Sequence, residues 1–268
     1  MEERLAGGKL LLDRPAEAVA RLTISNPEKR NALDHDVLDA IAEIVPQLDR
    51  GIEIRCLLIT GASPVFSAGY DIVGIPDQSF EQDAEALVAH PFQAALEAIA
   101  KHPWPTVAAI NGHAIGGGLE LAVTCDLRIC AAGAKLGMPP AKLGLIYSHT
   151  GLRKFLDTVG LARTKELFLT GRNFAAARAE NIGLVNEVVA DGELERSSVN
   201  LAATIAGNAP IAMRGNKQAI ELLNATSELT PQQEAGLVAL RESCFASEDF
   251  REGIRAFAEK RRPQWTGR

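Results

Sequence analysis

The chain has 268 residues, 47% hydrophobic and 23% charged, which suits one large globular domain or one domain with a helical appendage, able to bury its own core. A formal charge of −6 argues against a general nucleic-acid surface, so any anionic ligand must be met by a local cluster of positive groups. Met1 to Lys9 has no apolar run like a signal peptide, and no segment approaches the ~20 apolar residues that span a bilayer, so a soluble cytoplasmic protein is expected.

Cys56, Cys125, Cys130 and Cys244 are scattered without a C-x-x-C pair, which points to buried reduced thiols and to neither a disulfide framework nor a metal site. In chain order, the apolar runs Lys9 to Leu12 and Ala18 to Ile24, separated by Pro15, read as two early strands. Asn26-Pro27 breaks the chain, and Val37, Leu38, Ile41, Ile44 and Val45 then recur at helical spacing behind Asp34, a suitable N-cap. The β-branched run Arg55 to Thr60 reads as a buried strand. The order repeats as a helix from about Phe80 to Lys101, a strand Thr106 to Ile110, a glycine-rich turn, a helix Gly117 to Cys125 and a strand Asp126 to Cys130.

After about Gly144 helical periodicity dominates: Gly151 to Val159, Leu161 to Leu169, Ala175 to Asn181, Leu194 to Ala206, Ile211 to Leu223, Pro231 to Phe245 and Asp249 to Lys260, with one strand at Leu184 to Val189. The expected organisation is an α/β core over residues 1–200 and a helical C-terminal region over 201–268, with no repeat or linker between them.

Asn111-Gly112-His113-Ala114-Ile115-Gly116-Gly117-Gly118-Leu119-Glu120 follows a strand and opens a helix, without the spacing of a nucleotide-phosphate loop. Its glycines serve either a tight turn with close packing or an anion held by the free N–H groups of the helix start, an oxyanion or enolate. Glu120, three residues beyond Gly117, falls on the same helix face, where a general acid or base would stand; a glutamate in a first turn is equally good helix chemistry. Val65-Phe66-Ser67-Ala68-Gly69-Tyr70-Asp71-Ile72, after the second strand, could bring another backbone N–H to the same cavity.

Together these segments resemble the crotonase (enoyl-CoA hydratase/isomerase) superfamily. The likeness is carried by Asn26-Pro27-Glu28-Lys29-Arg30-Asn31-Ala32-Leu33, Phe66 to Ile72, Ala108-Ala109-Ile110-Asn111-Gly112 with the glycine triplet, and Glu120-Leu121-Ala122. It continues through Lys142-Leu143-Gly144-Leu145, Leu169-Thr170-Gly171-Arg172, Gly183-Leu184-Val185-Asn186 and Glu252 to Arg261. The resemblance implies a β-β-α superhelix core with a helical C-terminal trimerisation region, assembled as a homo-trimer or a hexamer of paired trimers. It implies that the N–H groups of Tyr70 and Gly117 hold an acyl-CoA thioester oxygen, and that Arg30, Ala32, Ala68, Asp71 and Ile72 contact the coenzyme A. Phe257 and Lys260 would close the site, often from a neighbouring subunit. Coenzyme A is then part of the substrate, and no separate cofactor is expected.

Hydratases of this family carry two glutamates. Glu120 aligns with the first, whereas Pro140 stands at the second position and has no titratable group. The segments Phe66 to Ile72, Leu143-Gly144-Leu145-Ile146-Tyr147 and Ser247 to Gly253 look like one branch, the bacterial methylmalonyl-CoA decarboxylases, although that branch has a histidine where this chain has Tyr70. Tyr147 would there lie near a substrate carboxylate, and decarboxylation needs only the enolate to be stabilised. The leading expectation is decarboxylation of a (methyl)malonyl-CoA-type thioester; hydration or isomerisation by Glu120 alone is the alternative, and a non-catalytic scaffold binding CoA esters or RNA is a third. Adjacent Ser148 and His149 diverge, so a nucleophilic dyad is not expected.

Overall fold

The computed structural model describes residues 2–48, 51–62, 64–71, 88–226 and 230–268. Strands β1 (Glu3–Leu5), β2 (Leu10–Ala16) and β3 (Val19–Ile24) precede helix α1 (His35–Gln47). Next come β4 (Cys56–Gly61), β5 (Val65–Ser67), α2 (Gln93–Ala100), β6 (Thr106–Ile110), β7 (His113–Ile115), α3 (Gly117–Thr124), β8 (Leu127–Ala131) and β9 (Lys135–Gly137). A 3-10 turn, Pro140–Leu143, leads to α4 (His149–Thr170), β10 (Asn173–Ala175), α5 (Ala176–Asn181) and β11 (Glu187–Val189). Helices α6 (Leu194–Ala206), α7 (Pro210–Ala225), α8 (Pro231–Ala246) and α9 (Glu248–Glu259) complete the chain.

The strands form two sheets, one ordered β1-β2-β3-β4-β6-β8-β11 and one ordered β10-β9-β7-β5. From β3 to β11 the larger sheet is parallel, and it is covered on both faces, which is why β4 and β6 read as unbroken apolar runs. One face packs on α1 and α2 through residues such as Leu57, Ile59, Ala108 and Ile110. The other face, with Leu58, Val107, Ala109 and Ile129, is covered by Leu194, Ala202 and Ala206 of α6. Each fully buried aliphatic side chain of this kind contributes about 1.5–3 kcal/mol. Successive units place one strand in the large sheet and the next, only three residues long, in the small one, as β6-β7-α3 illustrates. This is the β-β-α arrangement of an α/β fold.

The short strands β5, β7 and β9 are absent from the sequence reading because three residues carry no usable alternation, and their pairing supplies the missing definition. The strand expected over Leu184 to Val189 shortens to β11, since the N–H groups of Leu184 and Val185 both close the end of α5 on Ala179 O. The break expected between Val159 and Leu161 exists as Gly160, at φ 72° inside α4. Pro15 does not separate two strands; it sits within β2 where the register with β3 shifts between Asp13 and Ala16, a place where a ladder donor is dispensable. Of the segment from about Phe80 to Lys101, residues 80–87 lie outside the described residues, and the rest is a π-helical turn, Val88–Phe92, continuing into α2.

The cysteines at 56, 125 and 130 are buried free thiols, each pushed up to about 12 by burial; Cys244's side chain lies outside the described residues. Among the described residues no helix is long and apolar enough to cross a membrane. Lys217 ties α7 to the core by donating to Asp126 Oδ2 at 2.7 Å and Trp104 O at 3.2 Å, and Trp265 Nε1 donates to Gly207 O at 2.6 Å.

The loop between β3 and α1 is set by Asn31, which is fully buried at a left-handed φ of 54°. Its Nδ2 donates to Ala62 O and Val65 O, both at 2.7 Å, and its Oδ1 accepts from Asn26 N at 2.9 Å. An Asn31→Ala variant removes three hydrogen bonds, leaving Asn26 N–H and Ala62 O without this partner while Val65 O keeps Asn111 Nδ2 at 3.3 Å, and puts alanine in a conformation it disfavours, so a loss of about 3 kcal/mol is expected. Calorimetry should record a fall in Tm of roughly 6–12 °C.

Candidate active site

Two backbone segments meet at the end of the small sheet. Leu33 N–H donates to Gly69 O at 2.8 Å and Leu33 O accepts from Asp71 N–H at 3.1 Å, a parallel bridge that uses the neighbours of Tyr70 and turns its own N–H away from Leu33. Gly69, at φ 92°, lies so close to the start of α3 that a Cβ there would sit 2.8 Å from Ile115 O and 3.0 Å from Gly117 N. A Cβ on Gly118 would be 2.5 Å from Ser67 O. Both positions therefore require glycine. Gly117 is the first residue of α3, so its N–H has no intrahelical acceptor and stands at the positive end of the helix. The Tyr70 ring lies over it, 3.1 Å from where a Gly117 Cβ would be, and is held edge-on by Phe92 at 4.6 Å between centroids.

One turn along α3 stands Glu120, only 1% exposed. Its Oε2 accepts the Tyr147 hydroxyl at 2.6 Å, and that hydroxyl lies 3.4 Å from the Tyr70 hydroxyl. Lys154 Nζ is 3.8 Å from Oε1 and donates to Thr124 Oγ1 at 2.8 Å. The first turn of α4, capped by Ser148 Oγ on Gly151 N, packs directly against the carboxylate: a Cβ on Gly151 would lie 2.6 Å from Tyr147 Cε1 and 2.9 Å from Glu120 Oε1. Burial raises the Glu120 pKa, opposed by the Tyr147 hydrogen bond and by Lys154. Burial, and then the Glu120 charge, push Tyr147 well above its ordinary value, and burial raises Tyr70 as well. Lys154 is lowered by burial, with Glu120 pulling the other way.

Of the residues singled out in the sequence, Tyr70, Gly117, Glu120 and Tyr147 come together in this cluster. Pro140 is buried at the start of its 3-10 turn and brings no ionisable group. Arg30, Ala68 and Asp71 gather around the Leu33 bridge, with Ala68 N donating to Arg30 O at 3.1 Å and Asp71 accepting from Lys29 Nζ at 2.6 Å. Arg30 is exposed, and Ala32 is buried beside it. Ile72 lies outside the described residues. Phe257, 87% exposed, and Lys260 stand apart at the end of α9, where Phe257 borders an apolar groove with Ile211, Phe250, Ile254 and Trp265. Sequence reasoning missed Lys154, Thr124 and Gly151. A signal was present: Tyr147, Gly151 and Lys154 recur at helical spacing, so the face that carries Tyr147 also carries a lysine.

Residues 14–268 match the family model described as enoyl-CoA hydratase/isomerase. A probable enoyl-CoA hydratase of Mycobacterium tuberculosis is 37% identical, over 97% of this chain and 98% of that protein. The short-chain-enoyl-CoA hydratase of Clostridium acetobutylicum is 33% identical, over 91% and 92%. The crystal structure of an enoyl-CoA hydratase from Bacillus anthracis superposes with a TM-score of 0.88 at 32% identity, covering 97% of this chain and all of that one. These names favour hydration or isomerisation over the decarboxylation expected from the segments around Tyr147 and Ser247. By its family model, its relatives and its fold, the chain belongs to the enoyl-CoA hydratase/isomerase family of acyl-CoA enzymes.

Proposed function

We propose that the protein hydrates a 2-enoyl-CoA thioester through an enolate, with Glu120 as the only catalytic carboxylate. The observation that carries this reading is the buried Glu120 carboxyl one helical turn from the free N–H of Gly117, with the Tyr70 backbone alongside. In the reaction, water attacks the β-carbon and loses a proton to Glu120. The π electrons move onto the thioester oxygen, held by the N–H groups of Tyr70 and Gly117, and return as Glu120 delivers the proton to the α-carbon. One water is consumed, one C–O and one C–H bond form, and the carboxylate is regenerated. With Pro140 in place of a second acid, one group takes and gives the same proton.

The same parts without an attacking water would shift a double bond between the 3- and 2-positions, a second reading favoured by the near-complete burial of Glu120. Decarboxylation fits the site less well. Tyr147's hydroxyl is committed to Glu120, and an ionised Glu120 would repel the carboxylate of a malonyl-type substrate.

Arg30, Ala32, Ala68 and Asp71 would line the coenzyme A path, with the Arg30 charge available to its phosphates. Phe257 and Lys260 would act on a neighbouring copy's site, since Ile220, Leu223, Ile254 and Phe257 leave apolar side chains exposed on the C-terminal helices. Light scattering is expected to give three or six chains; a monomer at micromolar concentration overturns this assembly.

Loss of enoyl absorbance from crotonyl-CoA, read beside isomerisation of a 3-enoyl-CoA and CO2 release from malonyl-CoA, tests the reaction. Hydration with a kcat reduced about 1,000-fold in Glu120→Gln is expected. Full activity in that variant, or CO2 release without hydration, would sink the proposal.

A raised carboxyl pKa also has a stability consequence with a definite sign. Glu120 binds its proton more tightly in the folded than in the unfolded chain, so its contribution is fully present below the unfolded pKa and is lost as pH rises through the folded value. Removing the carboxylate also leaves Lys154 easier to deprotonate, which acts in the same direction. The Tm of Glu120→Gln should therefore climb relative to the unaltered protein between pH 4.5 and 8, measured by calorimetry in matched buffers.

A further inference from the structure

The reading of Glu120 as proton carrier poses a physical problem. A carboxyl with 1% exposure loses most of its hydration, and desolvation favours the neutral acid, which cannot take a proton from water. The Tyr147 hydroxyl relieves only Oε2. Oε1 faces a different element, α4, and meets two features there. One is the first turn of that helix, whose Gly151 carries no side chain where the carboxylate packs. The other is the Lys154 ammonium, one turn further on and 3.8 Å away.

That ammonium is not loosely placed. Thr124 Oγ1 accepts from Lys154 Nζ at 2.8 Å, and the same hydroxyl donates to Glu120 O at 2.8 Å. Thr124 thus fixes the cation from the helix that carries the carboxylate, one turn beyond it. The lysine side chain is about three-quarters removed from water, so its charge is screened far less than that of a surface ion pair. The other ionisable groups facing the pair are few. Tyr147 and Tyr70 stand on the Glu120 side; Cys125, buried and protonated, and the half-exposed Glu97 stand on the Lys154 side.

We propose that Lys154, anchored by Thr124, is the positioning residue for Glu120: it supplies the positive charge that keeps the buried carboxylate in its proton-accepting form and holds Oε1 on the α4 side of the site. The inference rests on Glu120 being the proton carrier. Lys154 touches no reacting atom in this scheme and acts only through that carboxylate. Its effect is therefore a pH displacement, whereas a lysine needed only for packing would lower the rate equally at every pH.

The test compares Lys154→Met and Lys154→Arg with the unaltered enzyme in kcat/KM for crotonyl-CoA hydration between pH 5 and 9.5. In Lys154→Met the acid limb should move up by about one pH unit, so activity at pH 6 falls roughly tenfold and recovers toward pH 9. Lys154→Arg should keep the limb in place. A uniform fall at all pH values, or an unmoved limb in Lys154→Met, overturns the proposal. A readout without substrate separates its failure from failure of the catalytic reading. With 13C-labelled glutamate, the Glu120 carboxyl signal, assigned by its loss in Glu120→Gln, should titrate at higher pH in Lys154→Met. An unchanged titration removes Lys154 from its role; a displaced titration with full activity in Glu120→Gln leaves Lys154 in place and removes the catalytic reading.

Discussion

The contact of two backbones governs the geometry of the site. Where the end of β5 meets the start of α3, the gaps at Gly69 and Gly118 are smaller than a methyl group, so main chain packs on main chain. Such an approach is possible only if the polar groups nearby are satisfied elsewhere. Leu33 takes Gly69 O and Asp71 N–H, and Ser67 Oγ accepts from Gly69 N at 3.1 Å. Asn31 in turn holds the loop that carries Leu33. The donors left over at Tyr70 and Gly117 owe their position to this stitching, which explains why a fully buried asparagine in a left-handed conformation matters to a site it does not touch.

Once the backbones are placed, electrostatics decides what Glu120 can do. Burial alone pushes it toward the neutral acid. Tyr147, Lys154 and the first turn of α4 each favour the ion, and they approach from two sides of the carboxyl. The aromatic pairings Tyr147 with Phe168 and Phe168 with Phe155, at 5.4 and 5.1 Å, hold the tyrosine in place from behind. Burial is the strongest of these influences and raises the pKa overall while the contacts oppose it, so the carboxyl is drawn toward both forms, as the proposed reaction asks of a group that takes and returns one proton.

The parts of this arrangement legible in the sequence are those with local signatures. Buried parallel strands are continuous apolar runs; the capped helix at Asp34 and the long amphipathic segments after Gly144 follow from spacing; and the free N–H of Gly117 follows from a glycine-rich strand-to-helix turn. Glu120 is legible because its distance from Gly117 along one helix is fixed by helical geometry. The spacing of Tyr147, Gly151 and Lys154 hints at a shared face, but the nearness of Lys154 to Glu120 depends on how α4 packs across α3, a tertiary fact that the spacing does not carry. The second sheet was hidden for a related reason: β5, β7 and β9 are defined by their partners and not by their own residues. The contact of the Tyr147 hydroxyl with Glu120 is not legible, since nothing in its neighbourhood of the sequence reveals that the hydroxyl reaches back 27 positions.

Pro140, at the position where the family resemblance implies a second glutamate, has a structural role of its own. Proline opens the 3-10 turn, where its fixed φ suits the first position and its missing N–H costs nothing. Its carbonyl accepts from Leu145 N at 3.0 Å and Gly144 adopts φ 72°, so the chain reverses and climbs to Tyr147 and the Ser148 cap of α4. A flexible acid at position 140 would bring a second titrating group but a less constrained turn. With proline there, the turn is stiffened just before the two residues, Tyr147 and Gly151, that bracket the remaining carboxylate. In the proposed reaction proton transfer then falls on Glu120 alone, and the same rigid turn delivers the hydroxyl and the helix start that favour its ionised form.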